Sequence, residues 1–206
     1  MLGNHGRGIT RKVFTAPAKG LARLGVTANQ VTVVGTVITV AVAAGTLGTG
    51  HWVAGPIALA FVLFADSLDG TLARITGEAS PFGAFLDSTL DRIGDGSVFS
   101  ALVYWIAVSQ APSAMRTWLL IAGFIAIVGT GTVPYARARA ESVGAEAKVG
   151  IAERTDRLVI GLLGAFLVGL GLPMWVMGIA LTWIAFATMF TVGQRIMAAK
   201  RELSNL

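Results

Sequence analysis

The chain has 206 residues, of which 54% are hydrophobic and only 13% are charged, and its mean hydropathy is +0.73. This composition excludes an ordinary soluble domain, because apolar runs recur at the length of about 20 residues that a bilayer core requires of a helix. The absence of Cys excludes disulfides, thiol catalysis and Cys-ligated metals. We therefore expect one membrane domain over residues 1–206, with no nucleic-acid partner.

The N-terminal part of the chain is basic and precedes the first apolar run. Over residues 10–24, apolar side chains alternate with Arg11, Lys12, Lys19 and Arg23. This pattern predicts a short amphipathic helix that lies on an anionic membrane surface. No small-residue cleavage pattern follows the first apolar run at signal-peptide distance, so we expect no signal peptide.

Six apolar segments after this helix are long enough to be candidate membrane spans. The links between several of them are short and carry Gly, Pro or Ser, as turns between antiparallel helices do. The sequence therefore predicts an all-α integral membrane protein, with a juxtamembrane helix followed by a six-helix bundle over residues 28–196. The six predicted spans are residues 28–49, 51–73, 84–109, 116–136, 156–171 and 173–196.

The Lys and Arg side chains orient these spans. If both termini are cytoplasmic, 15 of the 16 cations lie on the cytoplasmic side and only Arg116 lies outside. We therefore predict a multi-pass protein of the cell membrane. In this orientation the acidic stretch over residues 66–91 lies at the cytoplasmic ends of the second and third spans.

Four aspartates fall within this stretch: Asp66, Asp69, Asp87 and Asp91. Spacings of three and four residues keep the members of each pair on one helix face, and Pro81 separates the two helices. Carboxylates gathered beside a bilayer repel one another unless cations join them. Oxygen ligands without His or Cys favour Mg²⁺ or Mn²⁺, and four carboxylates can hold two ions.

Two simpler interpretations of this stretch stay open. The aspartates could form an ion-pair network that caps helix ends at the interface. Gly70, Ala73 and Gly83 could serve only close helix packing, as small residues do in membranes.

The pattern Asp66-x2-Asp69-Gly70-x2-Ala73-Arg74-x8-Gly83-x3-Asp87-x3-Asp91 resembles the complete signature of the CDP-alcohol phosphotransferases. The predicted six-span layout with an N-terminal surface helix is also similar to this family. Its enzymes transfer a substituted phosphate from a CDP-linked lipid or alcohol to a hydroxyl acceptor and release CMP. The resemblance implies CDP-diacylglycerol as a substrate, membrane lipid as surroundings and a homodimer.

The resemblance also implies roles for the signature residues. Asp66, Asp69 and Asp87 would bind two divalent ions, and Asp91 would contribute to the second ion or act as the catalytic base. Such a base contributes about 10²–10⁴-fold to a rate. The resemblance assigns the nucleotide and its phosphates to Gly70, Ala73, Arg74, Ser80 and Gly83.

A further nucleotide element is expected where the first span begins, at TANQVTVVG. The candidates are Asn29, Gln30, Val31 and Thr32, whose backbone N–H groups would suit the cytidine end. Thr27 or Asn29 is a candidate N-cap. A plain helix cap remains the alternative for this element.

Basic residues on the same side of the membrane indicate an anionic acceptor. Arg137, Arg154 and Arg195 close three different spans around one inner cavity, and guanidinium groups bind phosphate with two parallel hydrogen bonds. The alternative is ordinary positive-inside charge.

The segments ARAE, IAERTDRL and GQR resemble those of the bacterial phosphatidylinositol phosphate synthases, a subfamily that uses inositol 1-phosphate. The resemblance places Glu153 and Asp156 near the sugar hydroxyls or in ion pairs. Phosphatidylglycerol phosphate synthases, which take glycerol 3-phosphate, remain an alternative. A cation transporter is disfavoured, because the outer halves of the spans are almost wholly apolar.

Overall fold

The structure is a computed structural model that describes residues 14–151 and 153–204. Within these residues the regular structure is α-helical, with one short 3₁₀ helix at Leu47–Thr49 and no strand, which confirms the all-α prediction for this part of the chain. The helices are α1 (residues 14–23), α2 (Ala28–Thr46), α3 (Ala54–Ala65), α4 (Ser67–Thr76), α5 (Pro81–Ser109), α6 (Ala114–Ser142), α7 (Arg154–Gly169) and α8 (Trp175–Leu203).

Helix α1 covers the described part of the predicted surface helix. Phe14 packs on Phe64 with ring centroids 5.0 Å apart, and Ala18 is fully buried. Lys19 and Arg23 are exposed on the opposite face. This arrangement is amphipathic, as predicted. The remainder of the predicted helix, with Arg11 and Lys12, lies outside the described residues.

Side-chain caps determine where several helices begin. Thr27 and Gln30 form a reciprocal capping box at the start of α2, so Thr27 rather than Asn29 is its N-cap. Ser80 accepts a hydrogen bond from Gly83 N at 3.1 Å, and Pro81 occupies the first helical position of α5. Helix α5 therefore begins three residues before the predicted span at 84–109.

Four stretches of the described chain are long and apolar enough to cross a membrane: Ala28–Thr49, Ala54–Thr76, Ala114–Ser142 and Trp175–Leu203. They correspond to four of the six predicted spans. Helix α5 is long, but its first half carries four charged residues. Helix α7 has only 16 residues. By length and composition, the predicted spans at 84–109 and 156–171 are not among the four.

Helix α5 lies in the middle of the bundle, packed against α2, α6 and α7, while α6 packs along α8. Phe99, Leu102 and Ile106 of α5 are fully buried in the central core. Small residues permit close approach of the helices, since Gly129 faces Thr188 and Gly161 faces Phe99. Large apolar side chains cover the outside, as a lipid environment requires. They include Phe61, Phe124, Val128, Trp183 and Phe186.

Candidate active site

The four signature aspartates are placed by the junction of α3 with α4 and by the first turns of α5. Asp66 joins α3 to α4 in helical conformation, and Asp69 lies in the first turn of α4. Gly77, at a φ of 73° that favours glycine, ends α4 and turns the chain back toward α5. Asp87 and Asp91 then lie one helical turn apart on α5.

Arg154, the first residue of α7, connects these aspartates across the bundle. Its Nη1 lies 3.3 Å from Asp66 Oδ2 and its Nη2 lies 3.0 Å from Asp91 Oδ1. Both carboxylates are largely buried, with side chains 25% and 17% exposed. A guanidinium in this position reduces the repulsion between them. The sequence placed Arg154 in the acceptor pocket and did not predict this contact.

Among residues 14–151 and 153–204, no three His, Cys, Asp or Glu side chains form a ready-made metal site. Arg154 is instead a cationic partner of both Asp66 and Asp91, and Arg92 Nη2 also lies 3.4 Å from Asp91 Oδ2. The donor set still fits a hard divalent cation, because four carboxylates reach one region from three helical segments. Asp69 is oriented for such a role by Thr32, whose Oγ1 donates to Asp69 Oδ2 at 2.7 Å.

A cavity of about 240 Å³, which we call the signature cavity, lies between the start of α2, α4 and the start of α5. Asp69 and Asp87, two of the four signature aspartates that we call the acidic cluster, line it. The structure therefore brings two of the aspartates and seven of the nine predicted nucleotide ligands to one space. The predicted ligands that line it are Asn29, Thr32, Gly70, Ala73, Arg74, Ser80 and Gly83.

Two further predicted nucleotide residues, Gln30 and Val31, do not line the signature cavity. The side chain of Gln30 is used in the capping box with Thr27. Val31 packs on a small apolar cluster that includes Ala18 and Leu72. Since neither side chain lines the cavity, any contact with a nucleotide would come from the backbone of these two residues.

The two signature glycines differ in their surroundings. A Cβ added to Gly83 would lie 3.3 Å from both Asn29 Oδ1 and Ser80 Oγ, so this glycine permits close approach of α5 to α2. A Cβ added to Gly70 would meet nothing nearer than Arg74 Nη1 at 3.8 Å. Gly70 therefore leaves open volume in the signature cavity rather than relieving a packing contact.

Sequence reasoning missed Glu78, which lies in the turn after α4. Its Oε2 accepts a hydrogen bond from Ala28 N at 3.3 Å, so it caps the first turn of α2 from a distance of 50 residues in the chain. Glu78 also lines the signature cavity. Glu78 is not one of the signature positions, and helical periodicity does not predict the conformation of the turn that contains it.

A second cavity of about 540 Å³, the basic cavity, lies beside the acidic cluster on the side of α6, α7 and α8. It contains the three predicted acceptor ligands Arg137, Arg154 and Arg195, as well as Glu153. Asp156 does not line it. Six cations line the basic cavity: Arg92, Arg137, Lys148, Arg154, Arg157 and Arg195.

Two of the predicted acceptor ligands also have partners within the protein. Arg137 Nε lies 3.0 Å from Glu141 Oε1, one helical turn later on α6. Arg195 donates from Nε to Val149 O at 3.0 Å and from Nη1 to Val133 O. Arg195 therefore ties α8 to α6 and to the loop before α7 while it lines the basic cavity.

An apolar groove of about 690 Å³ opens between α3 and α7. Its walls include Pro56, Ala60, Leu162 and Phe166, and its polar end is formed by Ser67 and Arg154. Ser67 follows Asp66 directly. The groove therefore runs from the apolar outer part of the bundle to the acidic cluster.

Comparisons with known proteins agree with this geometry. The family model described as CDP-alcohol phosphatidyltransferase matches residues 25–193. The phosphatidylinositol phosphate synthase of Corynebacterium glutamicum is 37% identical over 206 residues, covering 99% of this chain and 92% of that protein. The enzyme of the same name from Cutibacterium acnes is 38% identical over 204 residues, covering 96% of this chain and 97% of that protein.

Solved structures of the Mycobacterium tuberculosis phosphatidylinositol phosphate synthase share the fold. Its structure with CDP-DAG bound has a TM-score of 0.84 at 37% identity, covering 91% of this chain and 94% of that one. Its complex with manganese and citrate has a TM-score of 0.84 at 36% identity, covering 90% and 88%. Because the family model matches residues 25–193, most of this chain, the chain belongs to the CDP-alcohol phosphatidyltransferase family.

Proposed function

We propose that this protein transfers the phosphatidyl group of CDP-diacylglycerol to a hydroxyl of inositol 1-phosphate, giving phosphatidylinositol phosphate and CMP. One observation carries the proposal: Asp69 and Asp87 line the signature cavity, while Arg154, which contacts Asp66 and Asp91, lines the basic cavity. The similarity to phosphatidylinositol phosphate synthases over nearly the full length supports the choice of acceptor.

The signature cavity is the proposed site of the CDP head group. Arg74 supplies a positive charge for the nucleotide phosphates, and the open volume beside Gly70 lets them approach the backbone. Ser80, Gly83 and Asn29 line the same cavity, and the cytidine would lie against them. Glu78 is an additional hydrogen-bond acceptor there.

The proposed metal ligands are Asp66, Asp69, Asp87 and Asp91, for two ions that are Mg²⁺ or Mn²⁺. Held by these carboxylates, a divalent metal would supply the positive charge that polarises the phosphorus and stabilises CMP as the leaving group. Support for a divalent metal comes from the all-carboxylate donor set and from the manganese complex of the M. tuberculosis relative.

Asp91 is the proposed base. It accepts the proton of the acceptor hydroxyl as the new oxygen–phosphorus bond forms and the bond from phosphorus to CMP breaks. Arg137, Arg154 and Arg195 would hold the acceptor phosphate in the basic cavity, and their fixed positions would orient the hydroxyl toward Asp91.

The apolar groove between α3 and α7 is the proposed path for the acyl chains. A lipid that keeps its tails in the bilayer must bring its head group in laterally, and this groove ends at Ser67 and Arg154 beside the aspartates. The whole chain would form one catalytic membrane domain with six spans and cytoplasmic termini, so that the active site faces the cytoplasm. We also infer a homodimer, which light scattering of the purified protein would test.

The proposal is tested with purified protein, CDP-diacylglycerol and Mg²⁺ or Mn²⁺. Separate reactions receive inositol 1-phosphate, free inositol or glycerol 3-phosphate, and CMP release is measured. We expect CMP only with inositol 1-phosphate. CMP release only with glycerol 3-phosphate would overturn the assignment of inositol 1-phosphate as the acceptor. No CMP release in any reaction would refute the transferase function.

A further inference from the structure

Asp95 is the most buried carboxylate near the active site, and the signature does not include it. It lies on α5 one helical turn after Asp91, and its side chain is 1% exposed. Its Oδ1 accepts a hydrogen bond from Arg154 Nε at 2.9 Å. Its Oδ2 makes no hydrogen bond and lies 3.8 Å from Arg157 Nη2 and 4.0 Å from Arg92 Nη2.

A buried carboxylate in this state is costly for the fold. Removing a carboxylate from water costs several kcal/mol, and an oxygen without a hydrogen bond recovers little of that loss. An apolar residue at this point of α5 would pack beside Val98 and Phe99 without this cost. This cost is offset by the arginines around Asp95, and of these Arg154 is the one that donates a hydrogen bond to it.

The three nitrogens of Arg154 contact three different carboxylates. Nε binds Asp95, while Nη1 and Nη2 point to Asp66 and Asp91. The guanidinium also lines the basic cavity. Asp95 holds the Nε side of the guanidinium in place. The two Nη groups can therefore release Asp66 and Asp91 and bind another anion while the Arg154 side chain stays between the acidic cluster and the basic cavity.

We propose that Asp95 is a positioning residue that holds Arg154 between the acidic cluster and the basic cavity. From this position the same guanidinium pairs with Asp66 and Asp91 and can bind an acceptor phosphate in the basic cavity. The inference rests on the proposed function. A phosphate that takes over the two Nη groups would free Asp66 and Asp91 from Arg154, so the acceptor and a divalent metal should strengthen each other's binding.

The first test compares Asp95→Asn with the wild type. The amide keeps the size of the side chain and removes its charge, so the hydrogen bond to Arg154 weakens. We expect the KM for inositol 1-phosphate to rise roughly tenfold, while kcat and the KM for CDP-diacylglycerol change by less than about threefold. Glu202→Gln, which neutralises an exposed carboxylate near the end of α8, is the control and should leave all three constants unchanged.

The second readout needs no turnover. Free Mn²⁺ is measured by electron paramagnetic resonance as it is titrated into the protein, with and without inositol 1-phosphate and without CDP-diacylglycerol. In the wild type the acceptor should lower the Kd for Mn²⁺ several-fold, and in Asp95→Asn the two Kd values should agree within about twofold. The inference would be overturned if inositol 1-phosphate lowered the Kd for Mn²⁺ by the same factor in wild type and variant. It would also be overturned if the variant had the wild-type KM for the acceptor.

A second variant keeps the inference falsifiable if Asp95→Asn does not fold. Arg154→Lys retains the charge but has a single ammonium, which cannot bind Asp95 and a phosphate in the fork geometry of Arg. We expect the KM for the acceptor to rise roughly tenfold here too, with Arg116→Lys at the opposite end of the bundle as control. A wild-type KM in Arg154→Lys would contradict the inference. If wild-type protein releases no CMP, the proposed function itself has failed.

Discussion

Arg154 contacts Asp91 directly, with Nη2 3.0 Å from Oδ1. The proposed acceptor ligand and the proposed base are thus neighbours. The contact crosses from α7 to α5, between residues 63 positions apart in the chain. A phosphate bound by Arg154 would lie within one side chain's reach of the proposed base, as positioned proton transfer needs.

The base assignment predicts the behaviour of Asp91→Asn. An amide cannot accept the proton of the hydroxyl, so turnover should fall by about 10²–10⁴-fold while CDP-diacylglycerol binding changes by less than about threefold. CMP release and equilibrium binding of the lipid measure the two effects. Glu146→Gln, an exposed acid in the loop after α6, is the control. Loss of lipid binding would instead make Asp91 chiefly a metal ligand, and wild-type turnover would refute its role altogether.

The hydrogen bond from Thr32 to Asp69 predicts that a residue outside the aspartate signature affects metal binding. Thr32→Val keeps the side-chain shape and removes the donor to Asp69 Oδ2, so the Mn²⁺ concentration for half-maximal activity should rise about tenfold. Chelation should abolish activity in both proteins, and added Mn²⁺ should restore it.

The matched control for this change lies one turn later on the same helix. The Thr36 hydroxyl bonds only to the carbonyl of Thr32 among the hydrogen bonds of the described chain, so Thr36→Val should leave the metal requirement unchanged. Equal metal requirements for Thr32→Val and Thr36→Val would show that Thr32 does not orient a ligand.

The open volume beside Gly70 predicts a defect in lipid substrate binding without a defect in folding. Gly70→Ala meets no atom within 3.8 Å, so the protein should fold as well as the wild type, yet its methyl group would project into the signature cavity. The KM for CDP-diacylglycerol should rise roughly tenfold. Gly96→Ala, also inside a helix with nothing within 4 Å, should stabilise the protein by about 0.5–1 kcal/mol and leave the KM unchanged. An unaltered KM in Gly70→Ala would place the nucleotide elsewhere.

The basic cavity predicts different effects for two arginines on the same side of the protein. Arg195→Gln should raise the KM for inositol 1-phosphate roughly tenfold, because Arg195 lines the cavity. Arg139→Gln should have no effect, because Arg139 is exposed and bonds to Ser142 outside the cavity. Since Arg195 also ties α8 to two carbonyls, thermal unfolding of both variants must be compared. Equal KM values in well-folded variants would contradict the phosphate role.

The sequence predicted the helical class and the signature residues, and it placed the starts of most helices within about three residues, because these depend on local patterns. It did not predict the break between α3 and α4, and α6 and α8 extend six and seven residues beyond the predicted spans. Ser80 and Pro81 mark the start of α5, and Gly77 marks the end of α4. Spacings of three and four residues placed the aspartates on shared faces, and the fold then brought Asp69 and Asp87 to the same cavity as Gly70 and Gly83.

The contacts of Arg154, Asp95 and Glu78 could not be predicted in the same way. Each depends on how two helices distant in sequence pack, and periodicity within one helix carries no information about that. Asp95 continues the four-residue spacing of Asp87 and Asp91, which was the available signal. Its 1% exposure and its bond to Arg154 59 residues away become visible only in the assembled bundle.

The central claim is tested most directly by following the acceptor phosphate into the lipid. Purified protein receives CDP-diacylglycerol, Mn²⁺ and inositol 1-phosphate labelled with radioactive phosphorus, and labelled lipid and CMP are measured in the same reaction. We predict that label enters the organic phase in a one-to-one ratio to CMP, and that Asp91→Asn abolishes both. CMP release without labelled lipid, or labelled lipid only when glycerol 3-phosphate carries the label, would contradict the proposed phosphatidyl transfer to inositol 1-phosphate.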